Sequence, residues 1–137
     1  MARPPAMHLS LLAVSVVCFL EAAVTDATYA VSEYLMWLHF SQWLIAVGIA
    51  FGLLAGLALV VHRLSNRGAG WAGGGHAGLL VIALVVEVVN AFVHTADGWT
   101  AVVPAGIALS IVGAIVALAS VAALWRSPAT WAGPVRA

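Results

Sequence analysis

Glu87, Asn90 and His94 follow one another at spacings of three and four residues. At about 100° per residue they fall on one stripe of a helix. His76 lies on the same stripe, 18 residues before His94, which is five whole turns or about 27 Å along the axis. A second polar stripe, Cys18, Glu21, Thr25 and Thr28, has spacings of three, four and three, and His39 and Gln42 stand at its level. Three chemistries are open to such a cluster. Two neutral imidazoles can ligate a haem iron axially, their second nitrogens oriented by a carboxylate or amide. Two Glu and two His can hold a divalent metal. Or the groups can satisfy one another as a hydrogen-bonded core that fixes helix register. The cofactor candidates are His39, His94 and His76, and the metal candidates are His39, His94, Glu21 and Glu87. Thr25, Gln42, Asn90 and Asp97 form the supporting polar network. His8, His62 and His76 make a weaker second group near the opposite interface. His39 and His62, 23 residues apart, point about 140° away from each other, which argues against two haems held symmetrically by two helices. Cys18 is the sole cysteine and has no neighbouring base, so nucleophilic catalysis is not expected.

The elements carrying these residues are dictated by composition. Of 137 residues 64% are hydrophobic and 7% charged, with mean hydropathy +1.11, whereas a soluble domain needs roughly 25% charged residues to cover its surface. Most of this surface must face lipid. Charge balances to zero, which excludes a basic nucleic-acid surface and an acidic tail. The chain reads as one all-α transmembrane domain, 1–137, with spans at about 8–28, 35–61, 76–94 and 101–125. The first span is short and follows Arg3, like a signal peptide, but is read as a retained span.

Arg3, Arg63, Arg67, Arg126 and Arg136 all fall on one side of such a four-span arrangement, so both termini are expected on the cytoplasmic side of the membrane. Trp37, Trp43 and Trp99 with Tyr29 and Tyr34 then form an outer aromatic belt, and Trp71, Trp125 and Trp131 an inner one. The glycine-rich stretch 67–78 lacks Lys and follows no strand, so it is an inner turn and not a phosphate loop. Gly48, Gly52 and Gly56 on the second span, facing Gly106 and Ser110 on the fourth, predict close helix packing, the small-residue edge that lipid-embedded helices need. A flat ring lying against the glycine edge is the alternative.

From Phe40 to Trp125 the chain resembles the bacterial four-helix membrane proteins of the domain of unknown function 2231 family. The resemblance rests on "FSQWLIAVGIAFGLLAGLALV", the basic turn after it, the histidine in "GWAGGGHAGLL", and "VNAFVHTADGWTAVVPAGIALSIVGAIVALA". His76, Asn90 and Asp97 are the family-like polar positions. The resemblance implies a four-helix membrane domain distantly related to di-haem cytochrome b bundles. The expected function is a small haem-b-type electron-transfer or anchor subunit beside a larger redox partner, or a homo-oligomer, without catalysis of its own. The alternatives are a cofactor-free structural subunit of a membrane complex and a metal-handling protein using the Glu/His cluster. For haem, the expected ligands are His94 and His39.

Overall fold

The computed structural model describes residues 5–65, 74–96 and 102–126. Asp97, with Arg3, Arg67, Arg136, Trp71, Trp99 and Trp131, lies outside the described residues. Four helices are long and apolar enough to cross a membrane: α1 (Ala6–Ser32), α2 (Leu35–Ser65), α3 (Gly74–Thr95) and α4 (Ile107–Arg126), the last entered through a π-helical turn, Val102–Gly106. No strand occurs among the described residues. α1 ends on Glu33, whose left-handed backbone (φ 58°) lets its N–H bond the Tyr29 carbonyl at 2.8 Å and turns the chain into α2. Before α4 the non-helical Val103 makes the kink, so Pro104 stands in the entry turn, where a missing N–H costs little.

The helices form an up-and-down ring, each packing on the next and α4 closing against α1. α1 and α3 are therefore diagonal partners. Buried positions repeat every three and four residues: 8, 12, 15, 19, 22, 26 and 29 on α1; 41, 45, 48, 52 and 55 on α2; 76, 80, 83, 87, 90 and 94 on α3; 106, 110, 113, 117, 120 and 124 from the entry turn into α4. This seven-residue rhythm is that of a left-handed bundle with interlocking side chains. What it buries differs from a soluble bundle. Val81, Ile82, Val85, Val88, Val89 and Phe92 of α3 are all exposed, while its buried stripe includes His76, Glu87, Asn90 and His94. With lipid outside, apolar residues gain nothing by turning inward, so the interior goes to small and polar residues that pack closely or bond across helices.

Gly48 and Gly52 are contact positions, but they face α1 and α3 and not Gly106 and Ser110, because α2 and α4 stand diagonally across the ring. A Cβ at Gly48 would meet the Phe19 ring at 2.5 Å, and one at Gly52 would meet Leu84 Cδ2 at 2.6 Å and Ser15 Oγ at 2.9 Å. Gly56 is different: nothing lies within 4 Å of its Cβ position, because the helix pair has turned that edge outward. Gly106 and Ser110 are buried, but Ser110 serves chemistry as well as packing. The Ser15 hydroxyl donates to the Gly48 carbonyl at 2.8 Å, Ser41 to Ala22 at 3.5 Å, and the His8 Nδ1 to Ala55 at 2.9 Å. These three contacts fix the register: residue numbers facing each other on α1 and α2 sum to 63.

Candidate functional site

Each end of the bundle interior carries one buried pair joining the diagonal helices α1 and α3. At one end His8 and His76 face each other, Nε2 to Nε2, at 3.0 Å. At the other, Asp26 Oδ1 meets His94 Nε2 at 2.9 Å. Within α1 and within α3 the two positions are 18 residues apart, so the pairs stand about 27 Å from each other, near the thickness of the hydrocarbon layer. All four side chains are essentially inaccessible, at 0–2% exposure.

The His94–Asp26 pair is embedded in a connected network. His94 Nδ1 donates to the Asn90 carbonyl of its own helix at 3.0 Å, and Gln42 Nε2 donates to the His94 carbonyl at 2.6 Å. Ser110 donates to Asp26 Oδ2, and Asn90 Nδ2 donates both to Ser110 Oγ at 2.8 Å and to Glu87 Oε2 at 3.0 Å. Ser41 Oγ approaches His94 Nε2 at 3.4 Å. The Asp26 carboxylate thus ties α1 to α3 and α4, and α2 joins the network through Gln42 on the His94 carbonyl. Gly113 is the cradle for Glu87: a Cβ there would stand 2.6 Å from the Glu87 carboxyl carbon. Glu87 Oε1 and Asn90 Oδ1 are buried with no hydrogen-bond partner.

Several sequence expectations are corrected here. His39 is exposed on α2, and Glu21 is exposed on α1, so neither joins His94 and Glu87. The reason is helix phase. α1 turns the edge bearing Ser15, Ala22 and Asp26 inward, leaving Thr25 and Cys18 at the margin and Glu21 outside. The haem pair His39–His94 is therefore not assembled, and both His94 nitrogens are already engaged, by Asp26 and by the Asn90 carbonyl. The metal set His39, His94, Glu21 and Glu87 is likewise not assembled. Among the described residues no group of three or more His, Cys, Asp or Glu is placed to share an ion. Thr25 bonds only backbone carbonyls of its own helix, at Glu21 and Ala22, while Gln42 and Asn90 do belong to the network. Asp26, which the polar-stripe reading left outside the cluster, is its centre. A signal for it was present: His8 and Asp26 on α1 share the 18-residue spacing of His76 and His94 on α3.

The His8–His76 pair has a distinct chemistry. His8 Nδ1 faces the Ala55 carbonyl and His76 Nδ1 the Ser120 carbonyl, each at 2.9 Å. A carbonyl only accepts, so both Nδ1 atoms carry hydrogen and both Nε2 atoms turn lone pairs toward one point. Two lone pairs do not face each other at 3.0 Å with nothing between them. An electrophile belongs there, a proton at this distance or a metal ion at a longer one. The rings stand nearly perpendicular, at 84°. As a donor set, the two imidazoles with both Nδ1 atoms anchored on backbone carbonyls would suit a haem iron. The flanking helices bring small buried residues to that level, Ala55 and Ala58 from α2, Ala117 and Ser120 from α4. The separation is about 1 Å shorter than two metal–nitrogen bonds of about 2.0–2.1 Å require.

Fold and interior together define a multi-pass membrane protein with a four-helix bundle and a polar core. Residues 4–124 match the family model described as predicted membrane protein (DUF2231), and the chain belongs to that family. The match takes in α1, and with it His8 and Asp26, which the resemblance from Phe40 onward did not reach. No curated protein and no solved structure gives a significant match.

Proposed function

We propose that this protein is a small redox subunit of the bacterial inner membrane that carries one haem b between His8 and His76 and works beside a larger partner. The observation that carries the reading is the His8–His76 pair itself: two imidazoles from diagonal helices, each fixed through Nδ1 by a backbone carbonyl, with Nε2 lone pairs converging. When bound, the group supplies one-electron transfer. The protein's part is to hold both ligands in one tautomer and to keep water from the site with Leu12, Leu59, Leu80 and Leu124, all buried. The Asp26–His94 pair has no free ligand nitrogen and acts as the bundle's clamp at the other end. In this reading electrons come from, or go to, another protein.

The 3.0 Å contact favours a second reading, in which a shared proton bridges the histidines and the chain is a cofactor-free structural subunit. A reduced-minus-oxidised spectrum of protein purified from haem-supplemented cells separates the two. The haem reading expects b-type bands that disappear in His8→Ala and in His76→Ala and persist in His39→Ala and His94→Ala. A colourless preparation that gains no absorption after haem addition overturns it and leaves the structural subunit.

A further inference from the structure

Glu21 occupies a place that lipid alone does not satisfy. It lies four residues beyond residue 17, the midpoint between His8 and Asp26, and so about 6 Å from the middle of the span. Its side chain is exposed, on an edge of α1 shared with exposed Val17, Leu20 and Val24, and no other described residue bonds it. A carboxyl at this depth is costly to insert in lipid, and such groups ordinarily face a partner. α2 carries unpartnered groups of opposite kind close by. By the register that sums to 63, Trp43 is level with residue 20 of α1 and His39 with residue 24. Trp43 is 70% exposed, about a turn and a half deeper than Trp37 and far from the headgroup level expected of a belt residue. An indole N–H only donates, and His39, one turn away on the same edge, offers a second donor.

We propose that the exposed α1–α2 face is where two copies of this chain pair side by side, about a two-fold axis along the bilayer normal. Such an axis keeps every residue at its own depth. It therefore sets Glu21 of each copy against the donor edge of the other, Trp43 and His39, and makes each contact twice. A face holding acceptor and donors at nearly one level is complementary to itself, which a face with the carboxyl alone would not be. The inference is independent of the haem reading, and its test does not use the spectrum.

The test is resonance energy transfer between fluorophore-labelled copies in vesicles of phosphatidylethanolamine and phosphatidylglycerol, read across a lipid dilution series. Wild type should pair. Glu21→Leu should raise the dissociation constant at least tenfold, and Trp43→Phe combined with His39→Leu should do the same, each variant keeping the wild-type helical content and melting temperature. Glu21→Gln, which still presents an accepting carbonyl, should retain most of the pairing. A monomeric wild type throughout the series overturns the proposal, as does a Glu21→Leu variant that pairs as tightly as wild type. A cross-link from the Glu21 edge to a different membrane protein, in place of a second copy, also overturns it.

Discussion

Asp26 shows how much one buried carboxylate can organise. It receives His94 from α3 and Ser110 from α4, and through Ser110 it reaches Asn90 and Glu87. Removing one member of a buried pair leaves the other desolvated and alone, so the network is costly to break and not simply additive. Glu87 gives the cleaner experiment, since Gly113 shapes the space around it. Glu87→Gln should retain the fold, because an amide oxygen still accepts from Asn90, whereas Glu87→Leu should destabilise by about 1–3 kcal/mol through the lost acceptor. Gly113→Ala should destabilise by a similar amount, its methyl group colliding with the carboxyl, and should cost much less in a Glu87→Ala background. Thermal melts of the four proteins in detergent give this cycle, and additive effects would remove Gly113 as the cradle.

Helices meet here through the absence of side chains as much as through their presence. Gly52 lets α2 approach both Ser15 of α1 and Leu84 of α3, while Leu53 beside it is 59% exposed. Gly52→Leu is expected to cost more than the 1–3 kcal/mol typical of an overpacked core, and Leu53→Ala to cost little because its side chain faces outward. Gly56 separates the two uses of glycine. With open space at its Cβ position, Gly56→Ala should be neutral or stabilise by up to about 1 kcal/mol from helix propensity. The order Gly52→Leu worst, Leu53→Ala mild, Gly56→Ala harmless is read from melting temperatures. Equal effects at positions 52 and 53 would dismiss the seam.

For the whole molecule, the ring returns the end of α4 to the beginning of α1, as the Ser120 and His8 partners of His76 show. Arg63 and Arg126 both lie at that His8–His76 end. Positive charge next to a span is retained on the cytoplasmic side, so this end is expected to be cytoplasmic and the Glu33 turn external. In a Cys18→Ser background, a cysteine at Glu33 should react with an impermeant thiol reagent added outside, and one at Arg63 only after permeabilisation. The reverse pattern would invert the assignment.

The sequence by itself determined four lipid-facing helices and the polar members of the buried stripe of α3, His76, Glu87, Asn90 and His94. These follow from hydropathy and from the 3.6-residue period, which are properties of each helix alone. It also marked Gly48 and Gly52 as contact positions, since small residues inside long apolar runs have few other uses. Only the tertiary structure decided which edge of α1 and α2 turns inward. Cys18, Glu21, Thr25 and Thr28 form as regular a stripe as the edge holding Ser15, Ala22 and Asp26, and in an apolar helix no difference in hydropathy distinguishes the two. Helix rotation is settled by cross-bundle bonds, Asp26 with His94 and His8 with His76, and these join residues 68 apart on helices that are not neighbours in the ring. That pairing sent His39 and Glu21 to the outside, where they became features of a surface instead of a site.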